Sequence, residues 1–249
     1  MKRIAFFICL FFISIIGVNA QTLSEIAREL NGTLPQKAAF ITMESASFAN
    51  NTFVMSMTMD GGKMFNITYY NAKPKEGKEW FKLWSMNLYK VYPYMFHRMI
   101  EKNVNFKVIV NDISNDDKCS IVMTPTDIKD AITKYGSMDD DLRGLTSQML
   151  STNIQSPQQL DEITFMVGAD LTKDAFTYKY TIDDSFLDMN AMQEFLDESK
   201  AERLATYRTV DTFMVNSCIS TGRKLKFVYT GKVSKKVASL IFTPRELAY

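Results

Sequence analysis

A single histidine, His97, supplies all the imidazole in this chain. Most serine and cysteine hydrolase triads use histidine as the shuttling base, so His97 would have to serve in any of them. No Gly-x-Ser-x-Gly elbow accompanies it. It lies one position off an apolar stripe, between Phe96 and Arg98, and reads as a structural or exposed histidine. Cysteine is nearly as scarce, at three residues, and Cys9 falls in the leader described below. Cys119 and Cys218 then allow at most one disulfide, which is no scaffold. One His and two Cys without ligand spacing predict no metal site. The glycines show no phosphate-binding pattern, and no cofactor motif is present. Asp112, Ser114, Asp116 and Asp117 imitate a calcium loop, but its sixth and twelfth positions hold Asp117 and Met123 in place of Gly and Glu.

Excess charge is also missing. The chain has 29 basic and 28 acidic side chains, a formal net charge of +1. That argues against nonspecific nucleic-acid binding and against an electrostatic grip on a membrane.

What is present begins with a leader. Lys2 and Arg3 precede an apolar run from Ile4 to Gly17, and Val18-Asn19-Ala20 offers a small-x-small cleavage site before Gln21. This reads as a signal peptide spanning 1–20, too short for a comfortable membrane span. No later segment is apolar enough to cross a bilayer. The mature chain is expected in the periplasm or secreted. The leader, followed directly by Gln, resembles that of a Gram-negative bacterium, so the sequons at Asn31, Asn50 and Asn66 are read as chance.

The mature chain reads as one unit written twice. Ile121 to Thr124 with Pro125, and Leu240 to Thr243 with Pro244, are the same closing phrase: an apolar run, Thr-Pro, one residue, an acid and an aliphatic. The spacing from Phe106 to Thr124 equals that from Leu225 to Thr243. Upstream, Phe53, Met55, Met57 and Met59 alternate with Val54, Ser56 and Thr58. Phe176, Tyr178, Tyr180 and Ile182 do the same in the second copy. Helical stretches cover about Lys78 to Lys102, with a break or kink at Pro93, and about Met189 to Ser217. The first has Phe81, Trp84, Leu88, Val91, Met95 and Met99 as its stripe; the second has Leu204, Tyr207, Val210, Met214 and Cys218. Tyr135 to Gly144, with the acidic run Asp139 to Asp141, reads as a soluble linker. The prediction is an α+β protein of two tandem repeats, 21–135 and 136–249. Each is an antiparallel sheet of about four strands, ordered β-β-α-β-β, with a helix on its apolar face. Cys119 aligns with Ala238 and Cys218 with Met99, so both thiols are expected to be buried and unpaired.

A Leu-Pro start, an aromatic alternating strand, a helix ending near Cys218 and a Tyr-rich hairpin (Tyr178, Tyr180, Phe227, Tyr229) resemble a pattern in exported bacterial proteins of uncharacterised role. The resemblance covers one copy and implies no activity.

The two helical stretches differ. The second has a polar face: Glu202, Arg203, Arg208, Asp211 and Asn216. The first adds Trp80, Leu83, Met86, Tyr89, Tyr92, Tyr94, Phe96 and Ile100 to its stripe, and so is apolar nearly all round. Such a helix is covered on both sides or presents a contact surface. The sequence therefore predicts a noncatalytic exported binding protein whose surface for a protein or apolar ligand is Trp80, Trp84, Tyr89, Tyr92, Tyr94 and Phe96. The alternatives are an envelope structural or assembly component, and a hydrolase that works through two converging carboxylates.

Overall fold

The computed structural model describes residues 22–38, 41–60 and 67–249. The signal peptide read at 1–20 lies outside them. By its contacts the chain divides between Met138 and Asp139 into two compact units.

The first unit opens with α1 (Leu23–Asn31). Thr22 and Glu25 form a reciprocal capping box that satisfies two orphan donors of its first turn. Leu23, Ile26, Ala27 and Leu30 recur at helical spacing and are all buried. β1 (Gln36–Ala38) and β2 (Ile41–Ala49) follow, and β3 (Thr52–Met59) returns from a hairpin. Asn50 and Asn51 take φ of 47° and 56°, the left-handed pair that matches the twist of the flanking strands. Phe53, Met55, Met57 and Met59 point inward with exposures of 3% or less. The chain then crosses through α2 (Thr68–Ala72), α3 (Pro74–Val91) and α4 (Pro93–Glu101) to β4 (Asn105–Asp112), turns back along β5 (Asp117–Met123) and ends in α5 (Pro125–Tyr135).

The sheet order is β1-β2-β3-β4-β5. The α+β repeat predicted from the sequence is present, with a short extra edge strand. One feature of the prediction is corrected: the sheet is mixed, because β3 and β4 run parallel. A helical crossover returns the chain to the same end of the sheet, so the strands it joins are parallel. Pro93 divides the long helix as expected. Tyr92 leaves helical geometry (φ −124°, ψ 56°) and Pro93 opens the next helix, where its missing N–H costs nothing.

The second unit repeats this plan. α6 (Asp140–Gln155) leads to β6 (Gln158–Gln159), β7 (Thr164–Leu171) and β8 (Ala175–Ile182). Then α7 (Met189–Glu198), α8 (Lys200–Val210) and α9 (Thr212–Ser220) cross to β9 (Lys224–Gly231), β10 (Val237–Phe242) and α10 (Pro244–Ala248). The order is β10-β9-β8-β7-β6, again with one parallel pair, β8 and β9. The acidic run predicted as linker is instead the start of α6. Asp139 caps it by accepting from Leu142 N–H at 2.8 Å, and Asp140 and Asp141 sit in its first turn, where the helix dipole favours negative charge. The predicted Leu204 to Cys218 stripe is also broken. Asp211 leaves the helix (φ −126°, ψ 57°), so Val210 is 60% exposed while Met214 and Cys218 are buried. Asp211 occupies the place of Tyr92. One copy breaks the helix with proline, the other with an aspartate that caps α9 through Met214 N–H.

Both copies close alike. Thr124 with Asp127, and Thr243 with Glu246, form capping boxes that start α5 and α10 on a proline. The shared Thr-Pro phrase is thus a strand stop and a helix start at once. Each copy also pins its leading helix to its second strand through one asparagine. Asn31 donates to Ala46 C=O at 2.6 Å and accepts from Ala46 N–H at 2.8 Å. Asn153 does the same to Ala169, at 3.0 and 2.7 Å. Both clasps sit beside a β-bulge in the strand, between Met43 and Ser45 and between Met166 and Gly168. At Gly168 (φ 152°) an added Cβ would lie 2.7 Å from Asn153 Oδ1, so the bulge requires glycine there.

Candidate functional site

The sequence singled out six aromatics on the first crossover, and the structure disperses them. Trp84 and Phe96 are core residues, 5% and 0% exposed. Trp84 stacks on Phe81 at 5.0 Å, and Phe96 meets Phe106 edge-on at 5.6 Å. Trp80 packs its edge against Tyr70, and the Tyr89 hydroxyl lies 3.3 Å from His97 Nε2. Tyr94 accepts from Arg98 Nε at 2.5 Å. Burial pushes the Tyr92 phenol up to about 12. Trp84 and Phe96 are therefore corrected from contact surface to core. The reason is local: α2, α5 and β5 of the same unit pack around α3, so its second apolar face is already covered.

Carboxylates do converge in this unit, but on a lysine. Lys82 Nζ lies 3.8 Å from Glu79, 3.3 Å from Asp127 and 2.8 Å from Asp130. Glu79 also takes hydrogen bonds from Lys134 and from the Tyr135 hydroxyl. At Asp127 burial disfavours the charge, but Lys78 and the Thr124 donors outweigh it and hold the carboxyl down at about 2. At Glu79 burial is likewise outweighed by Lys134 and Tyr135, and its pKa is lowered. Acids held ionised in this way tie α3 to α5; they are poor proton donors. A depressed folded pKa stabilises above the unfolded value of 3.8 and loses that contribution as pH falls through about 2. Between pH 5 and pH 2 the first unit should lose about 1–2 kcal/mol from Asp127, after allowance for solvent screening. Both tryptophans lie in α3, so urea melts followed by tryptophan fluorescence read this unit.

The second unit differs on the same scaffold. Its inner sheet face carries Phe176, Tyr178, Tyr180 and Ile182 from β8, and Leu225, Phe227 and Tyr229 from β9. Parallel register pairs Tyr178 with Phe227 and Tyr180 with Tyr229. The rings stack within each pair, at 5.6 Å and 21°, and at 4.8 Å and 16°. Tyr207 of α8 stacks on Phe227 at 4.8 Å and meets Phe242 edge-on. In the first unit the same register positions hold Met55 with Val108 and Met57 with Val110, and Leu88 takes the place of Tyr207. Met55, Met57, Val108 and Leu88 are buried and apolar. The second copy therefore puts phenols where the first has buried Met57 and Leu88 and half-buried Val110.

Tyr178 accepts a hydrogen bond from Gln148 Nε2 at 3.4 Å. The hydroxyls of Tyr180, Tyr207 and Tyr229 make no hydrogen bond with other described residues. All three rings are half-buried. Burial is the main cause that raises their pKa values, to about 12 at Tyr207, so each is a neutral donor at physiological pH. Burial also raises Asp211, and raises the Cys218 thiol to about 12. Cys218 and Cys119 are both buried and unbonded.

The row could have been found in the sequence. Tyr178, Tyr180 and Tyr229 were legible as inward strand positions. The overlooked signal was that their hydroxyls fall where the other copy has methionine or valine.

Among the described residues no group of three or more His, Cys, Asp or Glu side chains is placed to hold a metal ion, and no helix is long and apolar enough to cross a membrane. The chain matches no protein-family model and no curated protein. One solved structure is similar at a TM-score of 0.36 and 11% identity, over 42% of this chain and 90% of the other. That structure is of a Pseudomonas aeruginosa protein assigned as secreted. A likeness at this level carries no argument about fold or role.

Proposed function

We propose that this chain is an exported, noncatalytic binding protein whose ligand face is the tyrosine row of the second unit. Export rests on the leader read in the sequence, and the pattern shared with exported bacterial proteins agrees with it. The carrying observation is the contrast between the copies. None of the Tyr180, Tyr207 and Tyr229 hydroxyls is fully buried, so each is open to water or to an acceptor on a ligand. The first copy shows that this scaffold closes well with methionine, valine and leucine at the same positions. Retaining three unpartnered phenols on an aromatic floor fits a ligand with an apolar, planar body and hydrogen-bond acceptors. Tyrosine suits that work because it adds contact area at low entropic cost and carries a polar tip.

The test is a fluorescence titration of the mature protein with 1-anilinonaphthalene-8-sulfonate, an apolar aromatic body bearing an acceptor group. Tyr180→Phe/Tyr229→Phe keeps the rings and removes two donors. The double variant is expected to bind roughly tenfold more weakly, two net hydrogen bonds of about 0.5–1.5 kcal/mol each. Equal affinity in a folded variant contradicts the assignment.

A further inference from the structure

We propose that α8 is a lid over the tyrosine row, hinged at Ser199 and Asp211 and held shut by the C-terminal helix α10. This rests on reading the row as a binding face. α8 has 11 residues and buries none of them, whereas α3 of the first unit buries eight. Only Leu204 and Tyr207 of α8 pack against the core, and both are half-buried. The helix is bounded by single junction residues. Ser199 ends α7 and starts α8, and Asp211 ends α8 and starts α9. Helix ends of this kind absorb the backbone rotation of a hinge.

Besides the packing of Leu204 and Tyr207, what holds α8 down is polar and sits at its two ends. Lys200 Nζ lies 2.6 Å from Glu246 Oε1. Arg208 donates through Nε to Leu247 C=O at 3.3 Å and through Nη2 to Glu246 C=O. α10 is itself anchored, by its capping box and by Leu247 at 2% exposure. An element fixed by contacts at its ends and by two half-buried side chains opens more readily than one fixed by fully buried side chains. Such opening would widen a ligand's access to the rings against which Tyr207 now stacks.

Hydrogen–deuterium exchange of the mature protein without ligand tests the lid. Amides of 200–210 should exchange at least tenfold faster than those of α9. Lys200→Met/Arg208→Met should speed 200–210 by a further tenfold and leave α6 and α9 unchanged. Lys200→Met alone, which removes one half-buried ion pair, serves if the double variant does not fold. Exchange of 200–210 at the rate of α9 in the wild type, or no response to the variants, overturns the lid. Adding 1-anilinonaphthalene-8-sulfonate then tests the binding reading separately. Slower exchange in 200–210 supports a ligand beneath α8, and unchanged exchange in a chain whose lid opens counts against the binding face alone.

Discussion

Phe96→Ala is expected to destabilise the first unit by about 3–5 kcal/mol, the usual cost of emptying an aromatic core position. Phe96 is 0% exposed and meets Tyr89 and Phe106 edge-on, at 5.8 and 5.6 Å. Removing the ring deletes both contacts and leaves a cavity between α4 and the sheet. Urea denaturation read by tryptophan fluorescence measures the loss. A shift below about 0.5 kcal/mol would match a surface residue and would restore the contact surface first expected there. Trp84→Ala should behave like Phe96→Ala for the same reason, so neither variant is a clean test of binding.

Asn153→Ala is expected to cost about 2–4 kcal/mol, because two hydrogen bonds go and both partners are left behind. Those partners are the N–H and C=O of Ala169, a residue only 2% exposed. Asn153→Asp should be at least as damaging, since a carboxylate cannot donate to the Ala169 carbonyl and would face its lone pairs. Asn31→Ala should cost a similar amount, because the Ala46 N–H and C=O that it strands belong to a residue equally buried, at 2%. Circular dichroism melts of the three variants give the losses. A loss below about 0.5 kcal/mol at either asparagine would contradict the role of burial in this clasp.

Much of this architecture was legible in the sequence because periodicity reports burial. The Phe53 to Met59 and Phe176 to Ile182 alternations marked the inner faces, and the repeated Thr-Pro phrase marked the end of each sheet. The parallel pairing of β3 with β4 was not legible, since alternation says which face is buried and nothing about strand direction. The acidic run at Asp139 was misread because a capped helix start and a soluble linker share a composition. The candidate surface moved for a related reason. An all-round apolar helix reads the same whether its own unit or a partner covers it, and α2 and α5 supplied the cover. The tyrosine row could be read from the repeat, which sets Tyr180 against Met57 and Tyr229 against Val110, and the strand register agrees.

The two copies share a scaffold, and the proposed binding face lies in the second. Methionine-methyl NMR during a titration with 1-anilinonaphthalene-8-sulfonate separates the two units, because methionines report from both. Met166 pairs with Tyr180 across β7 and β8, and Met214 lies in the core of the same unit. Met86, Met95 and Met99 sit in the core of the first crossover. Saturable shifts are expected at Met166 and Met214, with unmoved signals at Met86, Met95 and Met99. Shifts confined to Met86, Met95 and Met99 would return the site to the first unit and contradict the proposed face.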